Sequence, residues 1–144
     1  MSSILVRIKR LFEVNIVPHA TPAGQSAPLD IGKELEQFMA ENRPYLLNRY
    51  TIYQLSEDSG IDVSELGNYI YAQKKCSFGD FINRYRIQKC LELIKRIPPG
   101  KVSMSDLSII CGFPDEHTFS LSFKKVTGST VSDYLHKLHL FGRP

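Results

Sequence analysis

Gln54-Leu55-Ser56-Glu57-Asp58-Ser59-Gly60-Ile61 is echoed 52 residues later by Asp106-Leu107-Ser108-Ile109-Ile110-Cys111-Gly112-Phe113. The echo continues at an offset of 53, where Leu66 pairs with Phe119, Ile70 with Phe123 and Ser77 with Thr130. Each copy reads as a short helix, a tight turn holding a Gly, and a second helix. Gly60 and Gly112 stand where such a turn calls for left-handed backbone angles, which glycine adopts without a Cβ penalty. Ser56 and Ser108, four positions earlier, are small enough for the second helix to cross closely. The pattern is that of a helix-turn-helix unit, whose second helix can enter a DNA major groove. It occurs twice.

Outward from the repeat the periodicity stays helical. Ile31, Leu35, Phe38 and Met39 follow the cap-like Asp30, and Pro44 ends that helix. Thr51 with Gln54 and Asp62 with Glu65 read as capping boxes, in which a short side chain accepts from a backbone amide three residues on. They predict helices over about 51–59 and 62–73. A long helix over about 77–96 follows, with Phe78, Phe81, Ile82, Tyr85, Cys90, Leu91 and Ile94 as its apolar side. Pro98-Pro99-Gly100 stops it. Ser103 and Asp106 open the next helix, and Pro114 at a first-turn position with Asp115 opens another. Gly128 ends that one, and Thr130 caps a last helix to about 139. No segment alternates with a two-residue period, so the fold class is all-α: two helix-turn-helix subdomains, homeodomain-like, joined by a long connecting helix.

The 144 residues are enough for one domain with a real core, and 42% hydrophobic and 23% charged residues are ordinary for a globular chain. No apolar run approaches the roughly 18 residues that span a bilayer. The N-terminus lacks the apolar stretch and small-residue cleavage site of a secretion signal. Cys76, Cys90 and Cys111 match no metal or disulfide spacing, which suits a reducing cytoplasm. Residues 1–28 read as an appendage, an apolar-basic segment followed by a Pro/Ala/Gly/Ser linker. Residues 29–144 form the domain, with the first helix-turn-helix about 51–76, the connector about 77–96, the second unit about 103–128 and the final helix about 130–139.

Charge is uneven. The net charge is only +3, yet between Lys74 and Lys101 eight basic residues face Asp80 and Glu92, a local balance of +6. From Val102 onward the charges cancel. A basic middle beside a neutral half suits contact with phosphates.

On these residues the chain resembles the AraC/XylS class of transcriptional regulators, in their paired helix-turn-helix DNA-binding domain. The resemblance runs from about Leu35 to Leu138. It is most specific at Phe81-Ile82-Asn83-Arg84-Tyr85-Arg86-Ile87 and at Cys111-Gly112-Phe113-Pro114-Asp115, with Phe119, Phe123-Lys124-Lys125, Gly128 and Thr130. It implies a bacterial, cytoplasmic, sequence-specific DNA-binding regulator, or the output domain of a larger one, with a recognition helix of each unit in the major groove. Double-stranded DNA is then the partner, and RNA polymerase and a fused or separate sensor domain are the further partners such a role would bring. Arg84 and Arg86 match positions that can tie the connector to a neighbouring unit. Departures from the family pattern are Ser56 and Ser108 for Ala, Lys75 for Gly, Val131 for Pro and Leu135 for Arg. Asn68 and Leu121 replace the arginines that often pair with guanine.

Within the first recognition helix, Ser64, Gly67, Asn68 and Tyr71 share one side, while Leu66, Tyr69 and Ile70 look inward. In the second, Glu116, His117, Thr118, Leu121 and Ser122 lie on or near the outward side, and Phe119 and Phe123 anchor the core. Asn68 can bond adenine N6 and N7, and Thr118 or Leu121 can touch a thymine methyl. Lys74, Lys75, Lys124 and Lys125 follow the recognition helices and are the candidate phosphate contacts. The expected DNA-binding set is therefore Ser64, Asn68, Tyr71, Lys74, Lys75, His117, Thr118, Leu121, Ser122, Lys124 and Lys125.

An enzyme is disfavoured, since no nucleophile motif, phosphate loop or acid pair is present. His136 and His139 lie three apart without a third ligand, so no metal or cofactor is expected. The competing reading is a helical protein-interaction module on the same scaffold, with weak or no specific DNA binding. Asp115, Glu116 and the absent arginines favour it.

Overall fold

A computed structural model describes residues 30–98 and 100–141, and the side chains of Leu140 and Phe141 fall outside that description. The 1–28 appendage lies outside the described residues. The elements run α1 (Ile31–Asn42), a 3₁₀ turn (Pro44–Leu46), α2 (Ile52–Ser59), α3 (Val63–Lys74), α4 (Phe78–Arg96), α5 (Met104–Ile110), α6 (Glu116–Thr127) and α7 (Val131–Phe141). No strand occurs among the described residues, so the fold is all-α.

The caps explain where the helices begin. Thr51 and Gln54 form a reciprocal capping box, as do Ser103 and Asp106. Asp62 caps α3 by accepting from the amides of Ser64 and Glu65, but Glu65 makes no return bond; that box is half formed. Pro114 is also displaced from its expected position. The N-cap is Asp115 and the helix opens at Glu116, so Pro114 belongs to the preceding turn, stiffening the chain without occupying the helix. Gly60 and Gly128 close α2 and α6 in the left-handed conformation. Lys75 does the same for α3 at φ 57°, a conformation in which a residue with a Cβ is uncommon. Arg84 on the next helix supports that end, its Nη1 donating to the Lys74 carbonyl at 3.2 Å.

Two apolar cores result, and α4 serves both. Phe81 and Ile82 at its start pack with Leu35, Phe38, Met39, Tyr45, Tyr50, Leu55, Ile61, Leu66 and Ile70. Ile87, Cys90, Leu93 and Ile94 further along pack with Leu107, Ile110, Cys111, Phe113, Phe119, Phe123 and Val131. Leu55, Leu66, Ile70, Phe81, Leu107, Phe113, Phe119 and Phe123, expected inside from spacing alone, are all buried. Each such side chain contributes about 1.5–3 kcal/mol by leaving water. Cys111 beside it, together with burial, pushes the Cys90 thiol far above its ordinary value, so Cys90 stays a neutral packing group.

Between the cores lies a polar joint at Arg86. Its guanidinium is buried and donates to the carbonyls of Tyr45 (2.6 Å) and Leu47 (3.0 Å) and to Asn83 Oδ1 (3.1 Å). It also lies 5.4 Å from the centre of the Phe113 ring in the second unit. Burial lowers its pKa to about 10, which leaves it charged at neutral pH. Gly112 lies against the backbone of the same 3₁₀ turn, at Tyr45 and Leu46. A buried charge satisfied by two backbone carbonyls fixes orientation as well as adding stability. The 19 residues of α4 span about 28 Å at 1.5 Å per residue, so the joint holds two helix-turn-helix units at a defined separation.

Candidate nucleic-acid interface

The outward side of α3 follows from its period. Leu66 and Ile70 are buried, which leaves Ser64, Asn68 and Tyr71 exposed on the opposite side, Tyr71 by 79%. Gly67 is half-buried between them. Tyr69 turns inward and packs against Gly32 of α1, where any side chain would collide with its ring. Tyr71 and Lys75 come together beside Ala72, Cys76 and Ser77 around an open concavity. Lys74 does not project freely. Its ammonium is 2.9 Å from Glu36 Oε1 and lies over the Tyr69 ring, and the bond to Glu36 holds its pKa above the usual lysine value.

On α6, Phe119 and Phe123 face the core, so Glu116, His117, Ser120, Leu121 and Lys124 face outward. Leu121 is 59% exposed, and Thr118 is half-buried at the margin. Asp115 accepts the Thr118 amide at 2.7 Å, and this bond keeps its carboxyl below the usual carboxylate range. His117, Leu121 and Lys124 line one apolar-walled groove of about 490 Å³ with Met104 of α5 and Val131 and Leu135 of α7.

Ser122 is the residue whose expected position fails. It is only 8% exposed and faces α4 rather than outward. The helical period explains this, because 122 lies one step round from 119 and 123, on the side where the connector packs. There it lines a polar cleft of about 390 Å³ with Asp80, Asn83, Arg84 and Gln88 from α4 and Lys125 from α6. Lys125 bridges the cleft, its Nζ 2.8 Å from Asp80 Oδ1, and this contact holds the Asp80 carboxyl below its usual range.

The eleven expected contacts therefore sort into distinct places. Ser64, Asn68 and Tyr71 share the α3 face, His117, Leu121 and Lys124 share the α6 groove, and Ser122 with Lys125 lies in the α4–α6 cleft. The C-terminal ends of α3 and α6 each carry two lysines, one paired with a carboxylate (Lys74, Lys125) and one exposed without an ion pair among the described residues (Lys75, Lys124). The cleft residues of α4 were missed from sequence. The signal was there: Asp80, Arg84 and Gln88 recur every four residues, a polar row opposite the apolar side. Among the described residues no three His, Cys, Asp or Glu side chains group to hold a metal, and no helix is long and apolar enough to cross a membrane.

The model of a family described as a helix-turn-helix domain matches residues 55–137. No curated protein matches the chain. The fold is similar to that of a DNA-binding transcriptional dual regulator from Escherichia coli K-12, with TM-score 0.61 and 15% identity over 81% of this chain and 99% of that one. It is similar to the C-terminal domain of AraT, a response regulator from Geobacillus stearothermophilus, with TM-score 0.58 and 18% identity over 79% and 88%. It is also similar to the DNA-binding domain of AdpA, a global transcriptional factor whose structure is in complex with a target DNA, with TM-score 0.60 and 12% identity over 76% and 93%. At these identities the likeness carries the fold, and the match to the family model carries the membership.

Proposed function

The chain belongs to the AraC/XylS-type helix-turn-helix domain family, and from that premise we propose that it binds double-stranded DNA sequence-specifically and regulates transcription. The family is a DNA-binding regulator fold and not an enzyme family. One observation supports paired reading above the rest. Two exposed recognition faces, on α3 and α6, belong to separately cored units that the Arg86 joint fixes at a set distance. Successive major-groove faces are about 34 Å apart, a distance that a connector of about 28 Å, together with the width of the units, can serve.

In this reading Asn68 bonds an adenine edge and Leu121 and Thr118 touch thymine methyls. Ser64, Tyr71 and His117 add contacts to bases or backbone, and Lys75 and Lys124 meet phosphates directly. Lys74 and Lys125 reach phosphates by leaving Glu36 and Asp80. Exposed ion pairs are worth only about 0–1 kcal/mol, so such an exchange is cheap. RNA polymerase or a sensor domain would complete the regulatory role, acting in the cytoplasm.

A salt series on duplex binding tests the reading. Phosphate contact releases counterions, so log K must fall linearly with log salt, with a slope of about −0.9 per phosphate neutralised. Binding to a mixed-sequence duplex that is strong at low salt and falls steeply is the expected result. No binding, or binding indifferent to salt, would leave the protein-interaction module as the better account.

A further inference from the structure

The α4–α6 cleft has the chemistry of a phosphate seat already occupied by a carboxylate. Arg84 brings an exposed guanidinium, Lys125 an ammonium, Ser122 a hydroxyl, and Asn83 and Gln88 side-chain amides. Guanidinium and ammonium groups converging with neutral donors suit a phosphodiester, whose negative oxygens accept several charge-assisted bonds. Only one lining residue opposes this, and it is the one that holds Lys125: Asp80, at 2.8 Å.

The cleft's position selects the source of the phosphate. Its α4 wall is tied to the end of α3 by the bond from Arg84 to the Lys74 carbonyl, and its other wall is α6 itself. It is thus flanked by the last turn of α6, through Lys125, and by the end of α3, through Arg84. With both helices in successive major grooves, the strand that separates those grooves must pass between them.

We propose that this cleft binds a backbone phosphate of the DNA between the two recognition helices, and that Asp80 is an internal competitor that holds Lys125 until the phosphate displaces it. The proposal rests on the DNA-binding reading above and adds a sequence-independent contact from the connector. Asp80 then sets affinity downward. Removing its charge strengthens binding, the reverse of what loss of a structural ion pair would do.

Asp80→Asn tests it in the full chain. The variant keeps the Ser77 cap, because that bond is donated by the residue-80 amide, and an asparagine oxygen can still accept from the Ser77 hydroxyl as the Asp80 carboxylate does. Asp80→Asn should raise affinity several-fold, equally for a mixed-sequence duplex and for a selected one. Its salt slope should steepen by about one unit, since Lys125 no longer trades one anion for another. Lys125→Ala should weaken binding in the wild-type background, since it removes a phosphate contact and leaves the Asp80 charge unpaired, and by a larger factor in the Asp80→Asn background, where the freed ammonium is fully engaged. Gln88→Glu, an exposed change that leaves the ion pair intact, should weaken binding to all sequences alike. Unchanged or weaker binding by Asp80→Asn, with helix content equal to wild type by circular dichroism, overturns the proposal. If Asp80→Asn is misfolded, Gln88→Glu decides, and no weakening there overturns the seat. Tight binding of inorganic phosphate to Asp80→Asn that duplex does not displace would mark a free-anion site and also overturn it. A wild-type chain that binds no DNA defeats both this inference and the function it rests on; one that binds while these variants behave as wild type defeats the seat alone.

Discussion

Gly112 stands against the backbone of Tyr45: a Cβ at residue 112 would lie 2.6 Å from the Tyr45 carbonyl oxygen, which also accepts the 2.6 Å bond from Arg86 Nε. The turn of the second unit is thus fitted to a 3₁₀ turn of the first. One carbonyl receives the connector's buried cation while the glycine closes over it. The two units meet through backbone, which makes their relative orientation stiff.

Gly112→Ala should therefore be far more damaging than Gly128→Ala. Both residues have positive φ, 85° and 78°, so both changes bring backbone strain of about 1 kcal/mol or more. Only residue 112 adds a collision with backbone, whereas nothing lies within 4 Å of a Cβ at 128. Urea denaturation of the two variants measures the difference. Equal destabilisation would mean that the joint yields easily.

Arg86→Met should cost about 2–4 kcal/mol in the same assay, because it leaves the Tyr45 and Leu47 carbonyls without their donor while the aliphatic volume is largely kept. Arg84→Met should cost much less. Arg84 is exposed, and its one bond ends α3 at the Lys74 carbonyl.

Asn68→Ala is expected to relax sequence preference at one or two base pairs, losing about 1–3 kcal/mol of discrimination, with little change in affinity for mixed sequence. Competition between single-base variants of a selected duplex reads this directly. An unchanged preference would remove α3 from base reading.

Neutralising Lys74 and Lys75 together should cost more DNA affinity than neutralising Lys124 and Lys125. Each pair has one member held by a carboxylate, so the pairs themselves are alike. Their surroundings differ: Lys74 and Lys75 open the stretch to Lys101 with its balance of +6, while the α6 face carries Asp115 and Glu116 at its start. Titrations of both double variants, with folding checked, compare them. Equal losses, or a larger loss from the second pair, would contradict an unequal division of labour.

The Asp80–Lys125 contact also predicts an acid dependence. The folded Asp80 carboxyl sits below its ordinary value of 3.8, so its contribution to stability is present above that value and is lost as pH falls through the lower folded one. The stability gap between wild type and Asp80→Asn should therefore shrink as pH falls below 3.8 and close once it has passed the lower folded value. The gap itself should be small, since Lys125 is exposed and Asp80 only half-buried, so solvent screens the pair.

Much of the fold is legible in the sequence. The repeat identified both units because a buried Leu or Phe at matching offsets and a Gly at a left-handed turn are set by local geometry and by the helical period. Ser122 was misread because the period alone does not say which of two flanking sides the connector covers. The 3₁₀ turn at Pro44–Leu46 escaped notice because three residues carry no periodicity. The role of Arg86 stayed open in sequence, since its partners are carbonyls 41 and 39 residues away. Asp80 looked like one acid in a basic stretch until its partner 45 residues on placed it across a cleft.

Selection of bound duplexes from a random-sequence DNA pool tests the central claim most directly. If both recognition helices read DNA, the enriched sequences contain two conserved blocks centred about one helical turn, roughly 10 base pairs, apart. Asn68→Ala should then degrade one block and leave the other. A pool that shows no enrichment, although the folded protein is present at saturating concentration and low salt, would contradict sequence-specific reading by this chain.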